Sequence, residues 1–131
     1  MLNEGFLESA FSETEREQIQ MVTLATPSGK DIFDAEKNKT KDHVFLLSPT
    51  EAEKYFPSDE SRRCNKTDYA GEQSRDKKNQ LWKLRTASDE WDYIVGVNGI
   101  DGKIVYAKLR NRKGDIELRE YSLRPAIWIK L

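Results

Sequence analysis

At 131 residues the chain is the size of one ordinary domain, and its 22 basic and 23 acidic residues leave a net charge of −1. So balanced a charge gives no field to steer the protein onto nucleic acid or an anionic membrane, and no apolar run reaches the roughly twenty residues needed to span a bilayer. Charged residues are 34% of the sequence, yet three Trp, five Tyr and five Phe are spread along it, enough aromatic bulk for a folded core. The single cysteine, Cys64, rules out an internal disulfide and a multi-cysteine zinc site. The start, Met1-Leu2-Asn3-Glu4, has neither a basic leader nor a long apolar stretch, the pattern of a cytoplasmic protein.

Taken in order, "LNEGFLESAF" sets Leu2, Phe6 and Ala10, with Leu7 and Phe11 one step round, at helical spacing, which predicts an amphipathic helix with one buried face. "SETE" follows as a capping box, Ser12 capping the next turn and Glu15 reaching back to it. "IQMVTLA" alternates and is rich in branched residues, predicting a strand. "TPSG" is a turn, and "KDIFDAEKNKTKDH" reads as a polar loop held only by Ile32 and Phe33.

"VFLLSPTEAEKYF" is the clearest unit in the chain. Val44 to Leu47 read as a short apolar strand. Ser48-Pro49-Thr50-Glu51 is a second capping box, with proline at the first helical position, where a missing N–H costs nothing. Ala52, Tyr55 and Phe56 supply that helix's inner face. "SDESRRC", capped by Ser58 or Asp59, and "TDYAGEQ" each predict a further turn of helix, and "SRDKKNQ" a charged loop.

From Leu81 the pattern changes to strands separated by turn chemistry. "LWKLR" and "WDYIVGV" are strands, "NGIDG" is a turn with two glycine signals, and "KIVYAKL" returns as a hairpin. "RNRKGD" turns, "IELREY" is another strand, and "SLRPAIWIKL" is the last. Short helices in the front half and an antiparallel meander behind make an α+β fold. In the closing decapeptide Ile127, Ile129 and Leu131 alternate with Ala126, Trp128 and Lys130, so both faces carry apolar bulk, as in a strand covered on both sides. Pro125 cannot donate to a ladder, so regular pairing begins only at Ala126.

"LRPAIWIKL" resembles the "VRPALWI" ending of an uncharacterised bacterial family, one of the domains of unknown function, whose members carry "WWLRSP", "VFLLS…EA.KYF" and "WLN..F...AFS..E...I" blocks. "LNEGFLESAFSETEREQI", "VFLLSPTEAEKYF", "DESRRCNKTDYA", "LWKLR" and "LRPAIWI" match these in one order over almost the whole chain. That family is similar in turn to the C-type-lectin-like fold of formylglycine-generating enzymes and variable ligand-binding proteins. Shared fold does not carry function with it.

Two departures stand out. Leu81 replaces the first family tryptophan, and Thr86-Ala87 replace its serine-proline. Met1 stands where the family has the tryptophan of "WLN", so the resemblance implies a single domain over 1–131 that lacks the family's N-terminal strand and helix, with any export signal lying in that missing front. In lectin-like folds the first strand pairs with the last, so such a loss implies an open apolar edge and a homodimer through the C-terminal strand region.

The chemistry-bearing residues are few. His43 is the only histidine and its neighbour Asp42 points the other way along a strand, so no catalytic triad forms. Cys64 lies between basic and polar residues and reads as a half-buried structural thiol; formylglycine-generating enzymes use a cysteine pair that this chain lacks. Asp101 in "NGIDG" has no run of acidic ligands around it, as a calcium loop requires. No catalytic, cofactor-binding or metal-binding residue is therefore predicted, and no cofactor. Arg85 and Arg124 sit among apolar residues and read as structural guanidiniums, with Pro125 and Trp128 completing the structural set; "RR", "KK" and "RNRK" read as solvated turns. Two readings result. One is a noncatalytic binding or interaction module for a carbohydrate or protein ligand, with a surface of Trp82, Arg85, Trp91, Tyr93 and Asn98. The other is an enzyme or enzyme remnant related to the formylglycine-generating group.

Overall fold

A computed structural model describes residues 2–26, 39–74, 80–86, 93–108 and 121–131, which form short α-helices and two antiparallel sheets, an α+β arrangement. A π-helical turn, Leu2–Phe6, runs into α1, Leu7–Ala10. The amphipathic face expected here is only partly covered: Leu2, Leu7 and Phe11 are half-buried, while Phe6 and Ala10 face solvent. Polar bonds hold the segment instead. Asn3 donates to the Asp42 carboxylate at 2.7 Å and to the Val44 carbonyl at 3.1 Å, and its own oxygen accepts from the His43 and Val44 amides.

Both capping boxes form as the spacing predicts. Ser12 caps α2, Glu13–Gln18, and Ser48 caps α3, Pro49–Tyr55, each answered by the glutamate three residues on. Hydrogen bonds from the Ser12 amide and then its hydroxyl hold the Glu15 carboxyl below its ordinary range. Ser58 caps α4, Asp59–Arg62, and Thr67 caps α5, Asp68–Gln73. Four helices thus start on a hydroxyl side chain, because short helices gain most from satisfying their first amides.

β1, Val22–Ala25, pairs with β2, Lys39–Asp42, Val22 lying opposite Asp42 and Ala25 opposite Lys39. The sequence reading placed Lys39–Asp42 in a loop; it is a strand. Its three exposed residues and half-buried Asp42 leave no apolar alternation to detect, and backbone pairing to β1 makes it a strand. β3, Leu81–Lys83, β4, Tyr93–Asn98, and β5, Ile104–Lys108, form the second sheet in that order, with Trp82 opposite Val97 and Val97 opposite Ile104. α3 lays Ala52 on this sheet, where it meets Trp82, Leu84, Val95 and Val97 in one buried cluster. Tyr55, expected on the inner face of α3, is exposed.

Two expected strands take another form. Val44 to Leu47 make a single bridge, Phe45 to Ala126, rather than a strand in a sheet, although Val44 and Phe45 are buried. The closing decapeptide is likewise not an interior strand covered on both faces: Trp128 is 45% and Ile129 57% exposed. It runs across the molecule as a strap touching three places, Ser122 beside Trp82, Ala126 beside Phe45 and Ile129 beside Ile19. "IELREY" lies outside the described residues up to Tyr121, which is in no strand.

The β4–β5 turn carries a close approach. Asn98 accepts from the Ile100 amide and Asp101 from the Lys103 amide through their side chains, as Asx turns do. Gly102 follows at φ +78°, where a Cβ would run into the Asp59 carbonyl of α4. Substituting Gly102→Ala brings both the left-handed strain and that collision. We expect a loss of about 3 kcal/mol or more in urea-induced unfolding.

Candidate functional site

The residues that follow α4 are placed by a buried arginine. Arg62, only 6% exposed, donates from Nε to the Gly102 carbonyl at 2.9 Å and from Nη1 to the Phe56 carbonyl at 2.6 Å, and pairs with Asp59. The "RR" pair, read from the sequence as a solvated turn, therefore has its first member inside. Two adjacent arginines do not reveal which one turns inward; Gly102, forty residues away along the chain, supplies the carbonyl that decides it. The Cys64 amide then donates to the Gly99 carbonyl at 3.0 Å, and the Gly99 amide to the Gln80 carbonyl at 3.0 Å, joining 64–67 to the start of β3.

Opposite this wall runs the strap. The Ser122 amide donates to the Leu81 carbonyl at 2.8 Å and the Lys83 amide to the Ser122 carbonyl at 2.9 Å. These bonds set residues 122–125 parallel to β3 and leave a groove of about 330 Å³ between strap, 64–67 and α5. Trp82, 3% exposed, lines it, as do Lys66 and Gln80, while Cys64 presents its edge. The Arg124 guanidinium lies over the Trp82 ring, 5.1 Å from its centre. Of these side chains, Trp82 Nε1 and Gln80 Oε1 are buried with no hydrogen-bond partner among the described residues. That is costly unless something else satisfies them.

The predicted ligand surface is divided by the fold. Trp82 is in the groove. Arg85 turns away to the α3 side, where Nη1 donates to the Leu46 carbonyl at 2.5 Å, Nη2 reaches the Ala25 carbonyl at 3.4 Å, and Glu51 pairs with it at 3.1 Å. Its backbone amide also donates to the Leu47 carbonyl at 2.8 Å. Arg85 is thus the internal fastener that its apolar surroundings suggest. Asn98 is occupied in the turn, its side chain accepting from the Ile100 amide. Tyr93 begins β4 opposite Lys108, and Trp91 lies outside the described residues. Of the structural set, Arg124 and Pro125 line the groove, and Trp128 meets Tyr55 edge to face at 5.8 Å on another surface.

Lys66 and Gln80 were missed in the sequence. Only the flanking "CNKT" cap and the polar residue before "LWKLR" mark them, and neither signal distinguishes a groove from a surface loop. His43 is half-buried, and its Nδ1 has no partner among the described residues. Among the described residues no three His, Cys, Asp or Glu side chains gather as metal ligands, and no helix is long and apolar enough to cross a membrane.

Short capped helices, a three-stranded antiparallel sheet and a strap-walled groove define a small α+β protein with a recess beside its core. The chain belongs to the family described as Domain of unknown function (DUF6273), whose model matches residues 1–131. No curated protein and no solved structure matches it.

Arg85→Lys provides a test of the fastener. One ammonium cannot meet two carbonyls and a carboxylate in the planar geometry that a guanidinium provides. The substitution is expected to cost about 2 kcal/mol of stability in urea unfolding. The Trp82 indole resonance should stay in place.

Proposed function

We propose that this chain is a noncatalytic ligand-binding module, of lectin-like type, whose site is the groove beside Trp82. The observation that carries the reading is a preformed recess of about 330 Å³ that Lys66, Gln80 and Arg124 line beside Trp82. Binding sites are concave, largely preformed, and furnished with a few convergent polar groups. Within the lining, the Cys64 sulfur has neither an imidazole nor a carboxylate beside it, which favours binding over nucleophilic catalysis.

Glycan and peptide arrays test the reading, with each hit followed by NMR of the three tryptophan indole N–H signals. Hits should shift the Trp82 indole signal, and Trp82→Phe, which shrinks the ring beneath Arg124, should weaken them about tenfold. Empty arrays, or hits that leave Trp82 unmoved, would overturn the groove as the site.

We propose as well that two copies pair through the strap. Ala126 exchanges bonds with Phe45, the Trp128 carbonyl accepts from the Gln20 amide, and the Lys130 amide donates to the Gln18 carbonyl. Alternate residues of an extended chain point their backbone groups the opposite way. The amides and carbonyls of Ile127 and Ile129 accordingly have no bond among the described residues. Such an edge recruits another strand. With a two-fold axis at Trp128, Ile127 of one protomer would face Ile129 of the other in antiparallel register, an isologous contact. Sedimentation equilibrium should then give a dimer of the 15.2 kDa chain. Ile129→Pro, which removes an outward donor and no internal bond, should return it to monomer. A wild-type chain that stays monomeric at high concentration overturns the pairing.

A further inference from the structure

We infer that the groove takes a small organic anion presenting a carboxylate, with Arg124 as the residue that receives it; this inference rests on the groove being the binding site. The first ground is charge. The lining holds the cationic Arg124, with Lys66 engaged at its edge by Ser74 at 2.7 Å, and no carboxylate among the described residues, although acidic residues outnumber basic ones in the chain as a whole.

The second ground is the state of the tryptophan. Aromatic rings recognise sugars by offering a bare face, and Trp82 offers none. It is 97% enclosed, with the Arg124 guanidinium over its ring at 5.1 Å. The ring acts instead as a platform. A guanidinium stacked on an aromatic face keeps its N–H donors in its own plane, where they fit the two oxygens of a carboxylate. Arg124 is exposed, and this ring contact is its one interaction among the described residues.

The third ground is preorganisation. Arg124 sits between two fixed points of the strap, Ser122, bonded to Leu81 and Lys83, and Ala126, bonded twice to Phe45, with Pro125 restricting the backbone between them. A cation already held in place loses less freedom when it binds. A volume of about 330 Å³ is at the small end for ligand sites, which suits a metabolite-sized acid or the last residues of a peptide.

Two sources of carboxylate share this chemistry, a free sugar acid and a peptide C-terminus, and one titration distinguishes them. Sodium glucuronate and N-acetyl-Ala-Ala, each beside its methyl ester, are titrated into the full chain at low ionic strength while the tryptophan indole N–H signals are followed by NMR. At least one acid should move the Trp82 signal, and its ester should bind tenfold or more weakly. Arg124→Gln should weaken that acid by a similar factor while the unfolding midpoint stays near wild type. An ester that moves Trp82 at the same concentrations as its acid overturns the anion assignment and leaves the groove as the site. If neither acid nor ester moves Trp82, both fall. If the acid moves Trp82 equally well in Arg124→Gln, Arg124 is not the receiving group and the inference is overturned.

Discussion

The backbone bonds of the closing strap are the constraint on which the rest of the molecule depends. Ser122 joins β3, Ala126 joins Phe45, and the Trp128 carbonyl and Lys130 amide join the Gln18–Gln20 segment. These attachments connect the end of the chain to its middle and its beginning, across long loops whose closure is entropically unfavourable. Each bond contributes on the order of 1 kcal/mol, so the strap is held by their number and by the apolar stems over which it lies. Without it the groove has one wall, Trp82 has no guanidinium above it, and Phe45 loses its strand-like partner Ala126.

A second theme is the use of arginine inside a chain that is 34% charged. The fold has several buried or half-buried stretches of irregular backbone whose carbonyls have no ladder to accept from. Arg62 serves the carbonyls of Phe56 and Gly102, and Arg85 those of Leu46 and Ala25. One guanidinium carries five N–H donors and can serve several carbonyls at once. The charge is balanced close by, Asp59 for Arg62 and Glu51 for Arg85. Glu51 also completes the capping box of α3, so one carboxylate fixes the start of that helix and the position of Arg85. The result is a fold whose buried apolar cluster is small, Ala52, Trp82, Leu84, Val95 and Val97, and whose periphery is fastened by directed polar bonds.

Trp82 stands where these arrangements meet. One side of its indole belongs to the core opposite Val97, and another lies along the groove under Arg124. A residue shared by core and recess gives the recess a rigid floor. Arg124 and Arg85 are the same residue type in similar apolar company, yet the fold engages one internally and leaves the other facing solvent. That difference leaves the Arg124 guanidinium at the surface, over the Trp82 ring.

Features determined within a few residues could be read directly from the sequence. The Ser12–Glu15 and Ser48–Glu51 boxes, the Asn98–Gly102 turn and the hairpin it closes all involve neighbours along the chain, so residue type and spacing are sufficient. Tertiary structure alone decided the rest. Lys39–Asp42 became a strand because β1 was there to pair with it, and the apolar Val44–Leu47 became a crossing because Phe45 met the strap. Arg62 was drawn inward by the Gly102 carbonyl, and Trp82 came to share a groove with Lys66 and Arg124 rather than with Arg85 or Asn98. The physical reason is common to all four. A cap or tight turn is a contact between near neighbours, whereas a partner far along the chain is selected by closure of the whole fold, and no local pattern records which distant group will arrive.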